Sequence, residues 1–310
     1  MLTTAFASLL AFVPASSGPT DLADAPRPTE VFGGAPVPTG QHDAVVAISV
    51  GTGLCTGTLI SPRIVLTAAH CFDAEPSVTA VEVIVGNDIH DAVAVLPAAD
   101  YEVHPCAITG CAQDGFDIAY VRLQDPAPMP TEGFPRPIVD QREYDDLSSV
   151  GSNVRVVGFG KDLAGDTGRK RFVDVEINSF RAFGNEFEAG GAGRDSCEGD
   201  SGGPALALSD TLQWRIVGVL SRGYTCGSGG IYVVPFPSLC WLEDETGVDL
   251  VPPTCPGCGC LDRDPDRFDD GACAVPNKRH RSYGGAGWVL LGLLAFTVTR
   301  RVAGRAPNQD

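Results

Sequence analysis

The chain has 310 residues, 44% of them hydrophobic, and its 37 glycines and 24 prolines favour short strands and turns in one main domain with appendages over long helices. A formal charge of −17 with no basic patch argues against nucleic acid as a partner and suits an exported protein that attracts cationic substrates. Eleven cysteines are too many for an ordinary cytosolic enzyme and point to disulfides made in an oxidising compartment.

At the start, "LTTAFASLLAFVPASSG" is a short apolar run followed by small residues, which reads as a signal peptide over 1–18 although no Lys or Arg precedes it. A buried N-terminal strand is the competing reading. From Val31 to Val248 come short β-branched runs, "AVVAISV", "RIVLTAA", "VEVIVG", "DIAYVRL", "VRVVGFG" and "WRIVGVLS", separated by Gly, Pro, Asp and Asn. They predict an all-β sandwich or barrel. Only "PSLCWLEDETG" reads as helical, with a proline at its start and a glycine after it. Residues 249–283, rich in Pro, Cys and Asp, read as a linker with local crosslinks and little core. Within 284–310, "AGWVLLGLLAFTVT" runs apolar into Arg300, Arg301 and Arg305; at about 14 residues it is short of the roughly 20 a spanning helix needs, and including Tyr283 to Gly285 brings it closer.

Three segments contain groups that acyl transfer needs. "LTAAHC" offers His70 as a base, "DIAYVRL" offers Asp117 at the head of a strand, and "GDSGGP" offers Ser201 on a glycine-rich turn. A serine hydroxyl is too weak an acid to attack a peptide carbonyl unaided. A neutral imidazole must take its proton, and a carboxylate must fix the tautomer and stabilise the imidazolium. Glycines beside the serine allow a sharp, exposed turn. Each residue alone has an ordinary structural explanation, and Asp114 is a nearby rival to Asp117.

In this order along the chain, with "TAAHC" and "GDSGGP", the segments from Val31 to Thr246 resemble the trypsin/chymotrypsin family of serine endopeptidases. The resemblance implies an all-β fold of two six-stranded antiparallel barrels with a short C-terminal helix, a catalytic domain over 31–248 and a propeptide over 19–30. It places His70 and Asp117 on the first barrel and Ser201 on the second, with the backbone amides of Gly199 and Ser201 binding the oxyanion. It implies disulfides Cys55–Cys71 and Cys197–Cys226. Asp195, six residues before Ser201, falls at the floor of the specificity pocket, where it would receive Arg or Lys. Gly223 and Gly230 would form the pocket's sides, and Ser221 to Gly223 would pair with the substrate backbone. "VFGG" at Val31 resembles the family's new N-terminus, whose ammonium would pair with Asp200. No cofactor or metal is required.

Several positions depart from that pattern. Glu30 precedes Val31 where Arg or Lys is usual, so activation needs a separate protease that accepts an acidic residue. Arg222 stands where a tryptophan usually lines the neighbouring subsite, and Glu188 falls where a cysteine is common. Cys106 and Cys111 are spaced to clip their own loop, while Cys240, Cys255, Cys258, Cys260 and Cys273 form an odd set. From Cys273 the tail resembles C-terminal sorting signals of myxobacterial surface proteins, which implies membrane insertion through the apolar helix, a sorting protease at Cys273 and display on the cell envelope or surface. A permanent single-span anchor is the alternative. The expected partners are thus protein substrates, an activating protease and the membrane; the competing function is a non-catalytic surface binding module on the same scaffold.

Overall fold

The computed structural model describes residues 33–74, 76–109 and 115–251. The first strand, β1 (Ala35–Pro36), is a short arm. It is followed by a closed antiparallel barrel of β2 (Val45–Val50), β3 (Gly53–Ser61), β4 (Ile64–Thr67), β5 (Val81–Val85), β6 (Ala94–Val103) and β7 (Ala119–Leu123), in the order β2-β3-β4-β7-β6-β5. After β8 (Arg136–Pro137) come β9 (Asn153–Gly158), β10 (Arg171–Arg181), β11 (Glu186–Ala189), β12 (Pro204–Leu208), β13 (Trp214–Gly223) and β14 (Gly230–Val233). These last six close on themselves through the β9–β10 and β9–β12 pairings; β1 joins β10 at the edge and β8 runs parallel to β13. The expected pair of six-stranded antiparallel barrels is what the chain forms.

Why the strands read as continuous apolar runs is visible in β2. Val46 and Ile48 point into the first barrel with Val65, Val83 and Val121, whereas Val45 and Ala47 belong to a second core with Val154, Val156 and Leu206. Successive side chains on a strand face opposite ways, so a strand buried on both faces has no polar side. The second core also takes Leu66 within β4, Ala68 just after it and Ile118 before β7. These fully buried residues flank His70 and Asp117, so the seam between the barrels is where both are set.

Three helices occur among the described residues: α1 (Pro105–Thr109), α2 (Gln141–Leu147) and α3 (Leu239–Thr246). The third is the helix expected from "PSLCWLEDETG". It ends at Gly247 with φ 71°, and its Trp241 packs edge-on against His104, 4.9 Å between ring centroids. The expectation that no other segment is helical is corrected by α1 and α2. α2 carries little apolar periodicity, with Tyr144 alone buried; its start is set by Asp140, whose carboxylate accepts the N–H groups of Arg142 and Glu143 at 2.9 and 3.2 Å.

The N-terminal arm is fastened to the second barrel. Pro36 lies opposite Arg171 in the β1–β10 pairing, the Val37 N–H donates to the Lys170 carbonyl at 3.1 Å, and the buried Lys170 ammonium donates to the His42 carbonyl at 3.1 Å. No helix among the described residues is long and apolar enough to cross a membrane. The proposed signal peptide, propeptide, Val31, Asp114, Cys111, the Cys-rich linker from 252 and the apolar tail lie outside the described residues.

Candidate active site

His70 sits on a single 3₁₀ turn, Ala69–Phe72, immediately after β4, and Asp117 sits just before β7, the neighbour of β4 in the sheet. The His70 backbone N–H donates to Asp117 Oδ1 at 2.9 Å, and His70 Nδ1 lies 2.7 Å from Oδ2. Ser221 on β13 donates its hydroxyl to the same Oδ2 at 2.6 Å, so a residue of the second barrel completes the carboxylate's shell. Burial opposes ionisation of Asp117, but the hydrogen bond and charge of His70, with the Ser221 hydroxyl, hold its pKa below the ordinary value. Burial also opposes charge on His70; the hydrogen bond and charge of Asp117, helped by Asp73, more than offset it and hold the imidazole's pKa above 6.5. An ionised Asp117 fixes the proton on Nδ1 and leaves Nε2 as an acceptor.

Ser201 lies on a tight turn that glycines make possible. Gly199 has φ 99° and Gly202 φ 79°, and a Cβ on Gly202 would stand 2.0 Å from Thr67 Oγ1 and 2.6 Å from the Thr56 carbonyl. First-barrel contacts hold the turn: the Thr56 N–H donates to the Ser201 carbonyl at 2.8 Å, and the Thr56 hydroxyl to the Gly199 carbonyl at 2.8 Å. Cys71 Sγ, one residue past His70, is 3.8 Å from the Ser201 carbonyl. Disulfides tie both pieces, Cys55 to Cys71 and Cys197 to Cys226, and Cys106 and Cys240 are disulfide-bonded as well. Among the described residues no hydrogen bond joins Ser201 Oγ to His70. The N–H groups of Asp200, Gly202 and Gly203 are all taken by backbone carbonyls, at 3.0, 2.8 and 2.8 Å, while those of Gly199 and Ser201 donate to nothing among the described residues. Two unspent donors therefore flank the serine.

Asp195, six residues before Ser201, is buried. Its Oδ2 accepts the Gly229 N–H at 2.7 Å and its Oδ1 faces the Ser196 hydroxyl at 3.2 Å. Burial pushes its pKa up, only partly countered by the hydrogen bonds of Ser196 and Gly229, and the charge of Glu188 pushes the same way. Gly223 and Gly230 lie opposite each other between β13 and β14, and a Cβ on Gly230 would meet Ser196 Oγ at 2.8 Å. A Cβ on Gly223 would find nothing nearer than 3.5 Å, which leaves that side open. Ser196 and Tyr232 were not singled out from sequence. Tyr232 Oη is buried, interacts with the Ser196 side chain and lies within electrostatic reach of Asp195. The signal available for Ser196 is its adjacency to Asp195; for Tyr232 the sequence offers none.

Asp200 is fully buried, and Gly160 and Cys197 donate their N–H groups to it at 2.7 and 2.9 Å. Burial pushes its pKa up to about 6. Gly158 and Gly160 make room for it, since a Cβ on either would fall within 2.5 Å of its side chain. Arg222 lies beside Ser221 and grips the buried Glu186 with two bonds of 2.7 Å, so the residue that departs from the family pattern is itself neutralised. Among the described residues, no group of three or more His, Cys, Asp or Glu side chains converges as metal ligands do.

A proteolytic class fits both the double barrel and a His–Asp pair set beside a glycine-bound serine. A family model described as Trypsin matches residues 31–239, and the chain belongs to that family of serine proteases. Coagulation factor XII of Sus scrofa is 27% identical over 248 residues, covering 70% of this chain and 39% of that protein. The Bos taurus counterpart is 27% identical over 247 residues, with 70% and 40% covered, so the chain spans about two fifths of the length of these relatives. A protein named "Trypsin-like protease" from Streptomyces glaucescens is 31% identical over 241 residues, covering 73% of this chain and 85% of that one.

Proposed function

We propose that this serine protease is an exported endopeptidase that cleaves after Arg or Lys. The observation that carries the catalytic reading is the His70–Asp117 contact of 2.7 Å on the barrel seam, next to a serine turn with two unspent N–H donors. His70 Nε2 takes the Ser201 hydroxyl proton as Oγ attacks the scissile carbonyl. Asp117 keeps the ring oriented and stabilises the imidazolium, and the Gly199 and Ser201 N–H groups receive the oxyanion, at roughly 3 kcal/mol per donor. His70 then protonates the leaving amine, and a water repeats the sequence to release the acid.

Asp195 gives the specificity. A buried carboxylate whose pKa is raised has every reason to accept a cation, and a guanidinium or ammonium extended past the paired Gly223 and Gly230 would supply one. Ser221 to Gly223 would hold the substrate backbone as an added strand. We further propose that cleavage between Glu30 and Val31 by another protease activates the enzyme, with the new ammonium at Val31 pairing with Asp200. Delivery to the cell envelope or surface through the C-terminal tail belongs to the same reading.

The test is hydrolysis of a peptide panel differing only in the residue before the scissile bond, using protein whose N-terminus is Val31 and Ser201→Ala as control. Cleavage confined to Arg and Lys peptides and absent from the control is the expected result. Activity on other residues would discard the pocket assignment and keep the catalytic one. No turnover and no labelling by a fluorophosphonate would favour the binding module.

A further inference from the structure

The segment between β9 and β10 is mostly exposed, from Leu163 to Thr167, yet it contains one buried carboxylate, Asp162. Asp162 Oδ1 accepts the N–H groups of Ala164 and Asp166 at 2.8 and 2.9 Å, and its own N–H donates to the Asp166 carbonyl at 2.9 Å. Its Oδ2 meets Arg171 Nη2 at 3.2 Å, with side-chain exposures of 2% and 7% for the two residues. A loop that needed only to connect two strands would have no use for a buried ion pair, whose desolvation cancels most of its attraction. What such a pair does well is select one conformation.

The conformation selected here bears on the serine turn. Gly160, two residues before Asp162, donates to Asp200 at 2.7 Å, and its Cα would lie 2.9 Å from a Cβ placed on Gly199. The next residue, Lys161, donates its N–H to the Glu198 carbonyl at 2.8 Å and pairs its ammonium with the Glu198 carboxylate. Gly160 and Lys161 thus form a wall against Glu198, Gly199 and Asp200. At the far end of the loop, Arg171 is paired in the sheet with Gly158 and with Pro36 of the N-terminal arm.

We infer that Asp162 and Arg171 are positioning residues: their buried pair closes the 159–170 loop so that Gly160 braces the turn carrying the Gly199 and Ser201 donors. They touch no substrate. Their effect passes through Gly160 to the oxyanion geometry, which is realised in the transition state and not in ground-state binding, so kcat is the parameter they control. The inference rests on the catalytic reading above. It adds a dependence that Asp200 alone does not predict: the less the Asp200 carboxylate is supported by a cation, the more the brace depends on the Asp162–Arg171 pair.

The experiment uses Val31-terminated protein and protein in which Glu30–Val31 remains uncut, with a small arginine ester as substrate. Asp162→Asn keeps the side chain's volume and one acceptor oxygen for the loop N–H groups but removes the charge facing Arg171. The expected result is at least a tenfold loss of kcat with KM changed less than threefold in the Val31-terminated form, and a proportionally larger loss of fluorophosphonate labelling in the uncut form. Arg171→Lys should retain more activity than Arg171→Met, and this pair decides the matter if Asp162→Asn does not fold. A kcat within twofold of the parent, a rise in KM alone, or equal losses in Arg171→Lys and Arg171→Met would overturn the inference. If the unmutated Val31-terminated protein neither turns over nor labels, the catalytic reading has failed, not the brace.

Discussion

The two barrels hold their buried carboxylates differently. In the first, Asp117 is matched within the fold: two groups of His70 and, from across the seam, the Ser221 hydroxyl meet it, and its pKa is lowered. In the second, Asp195 and Asp200 are buried more deeply, 1% exposed each against 21% for the Asp117 side chain, but accept only backbone N–H groups and a serine hydroxyl, with no ion pair among the described residues, and the pKa of each is raised. Elsewhere the second barrel pairs its own buried carboxylates, Asp162 with Arg171 and Glu186 with Arg222. At Asp195 and Asp200 no cation among the described residues does so, and a substrate cation at the first and a new N-terminal ammonium at the second are the partners proposed above.

The sharpest way to break this contrast is to remove the completed pair. Ser201→Ala or His70→Ala should lower kcat by about 10⁵-fold or more with KM little changed, measured on an arginine peptide. Next in size, Asp195→Asn should lower kcat/KM for arginine peptides by about 10³-fold while leaving apolar peptides nearly unaffected, because one partner of a buried charge pair has been lost. Ser221→Ala, which takes one charge-assisted bond from Asp117, should cost roughly ten- to a hundredfold in kcat.

Two smaller effects follow from titration. With the neutral His70 imidazole as the proposed base and its pKa raised, the acid limb of kcat/KM should have its midpoint above 6.5. Asp200 has the opposite consequence for stability. Its folded pKa of about 6 exceeds the unfolded value of 3.8, so the folded state holds its proton longer, and this contribution is complete below 3.8 and lost as pH rises through about 6. Chemical denaturation of the chain uncut at Glu30–Val31 should show a decline across that window, at most about 3 kcal/mol, and a Val31 terminus should flatten it. An unchanged slope in the Val31-terminated form would mean that its ammonium does not reach Asp200.

Much of this could be read from the residues. The apolar runs around Val45, Ile64, Val154 and Trp214 became strands because burial on two faces leaves a strong, continuous signal. Helix α2 escaped notice because a cap at Asp140, not periodicity, creates it. At the site, "TAAHC" and "GDSGGP" brought His70 and Ser201 into view, but the brace did not appear. Nothing local marks Asp162 as buried or Arg171 as its partner: nine positions separate them, and each alone reads as a loop or strand charge. Glu186 likewise meets Arg222 only because β11 and β13 both border β14.

The burial of Lys170 and Arg171 has one more consequence. With Arg169 they make three successive cationic residues, which an enzyme with the proposed Arg and Lys specificity would cut in itself. The fold hides two of the three: Lys170 and Arg171 are 2% and 5% exposed, and the backbone of Arg171 is taken up in the β9–β10 and β1–β10 pairings, whereas the Arg169 side chain is 71% exposed. Under that specificity, cleavage after Lys170 or Arg171 would require these pairings to open, so its rate would report how often the N-terminal arm and the start of β10 come apart.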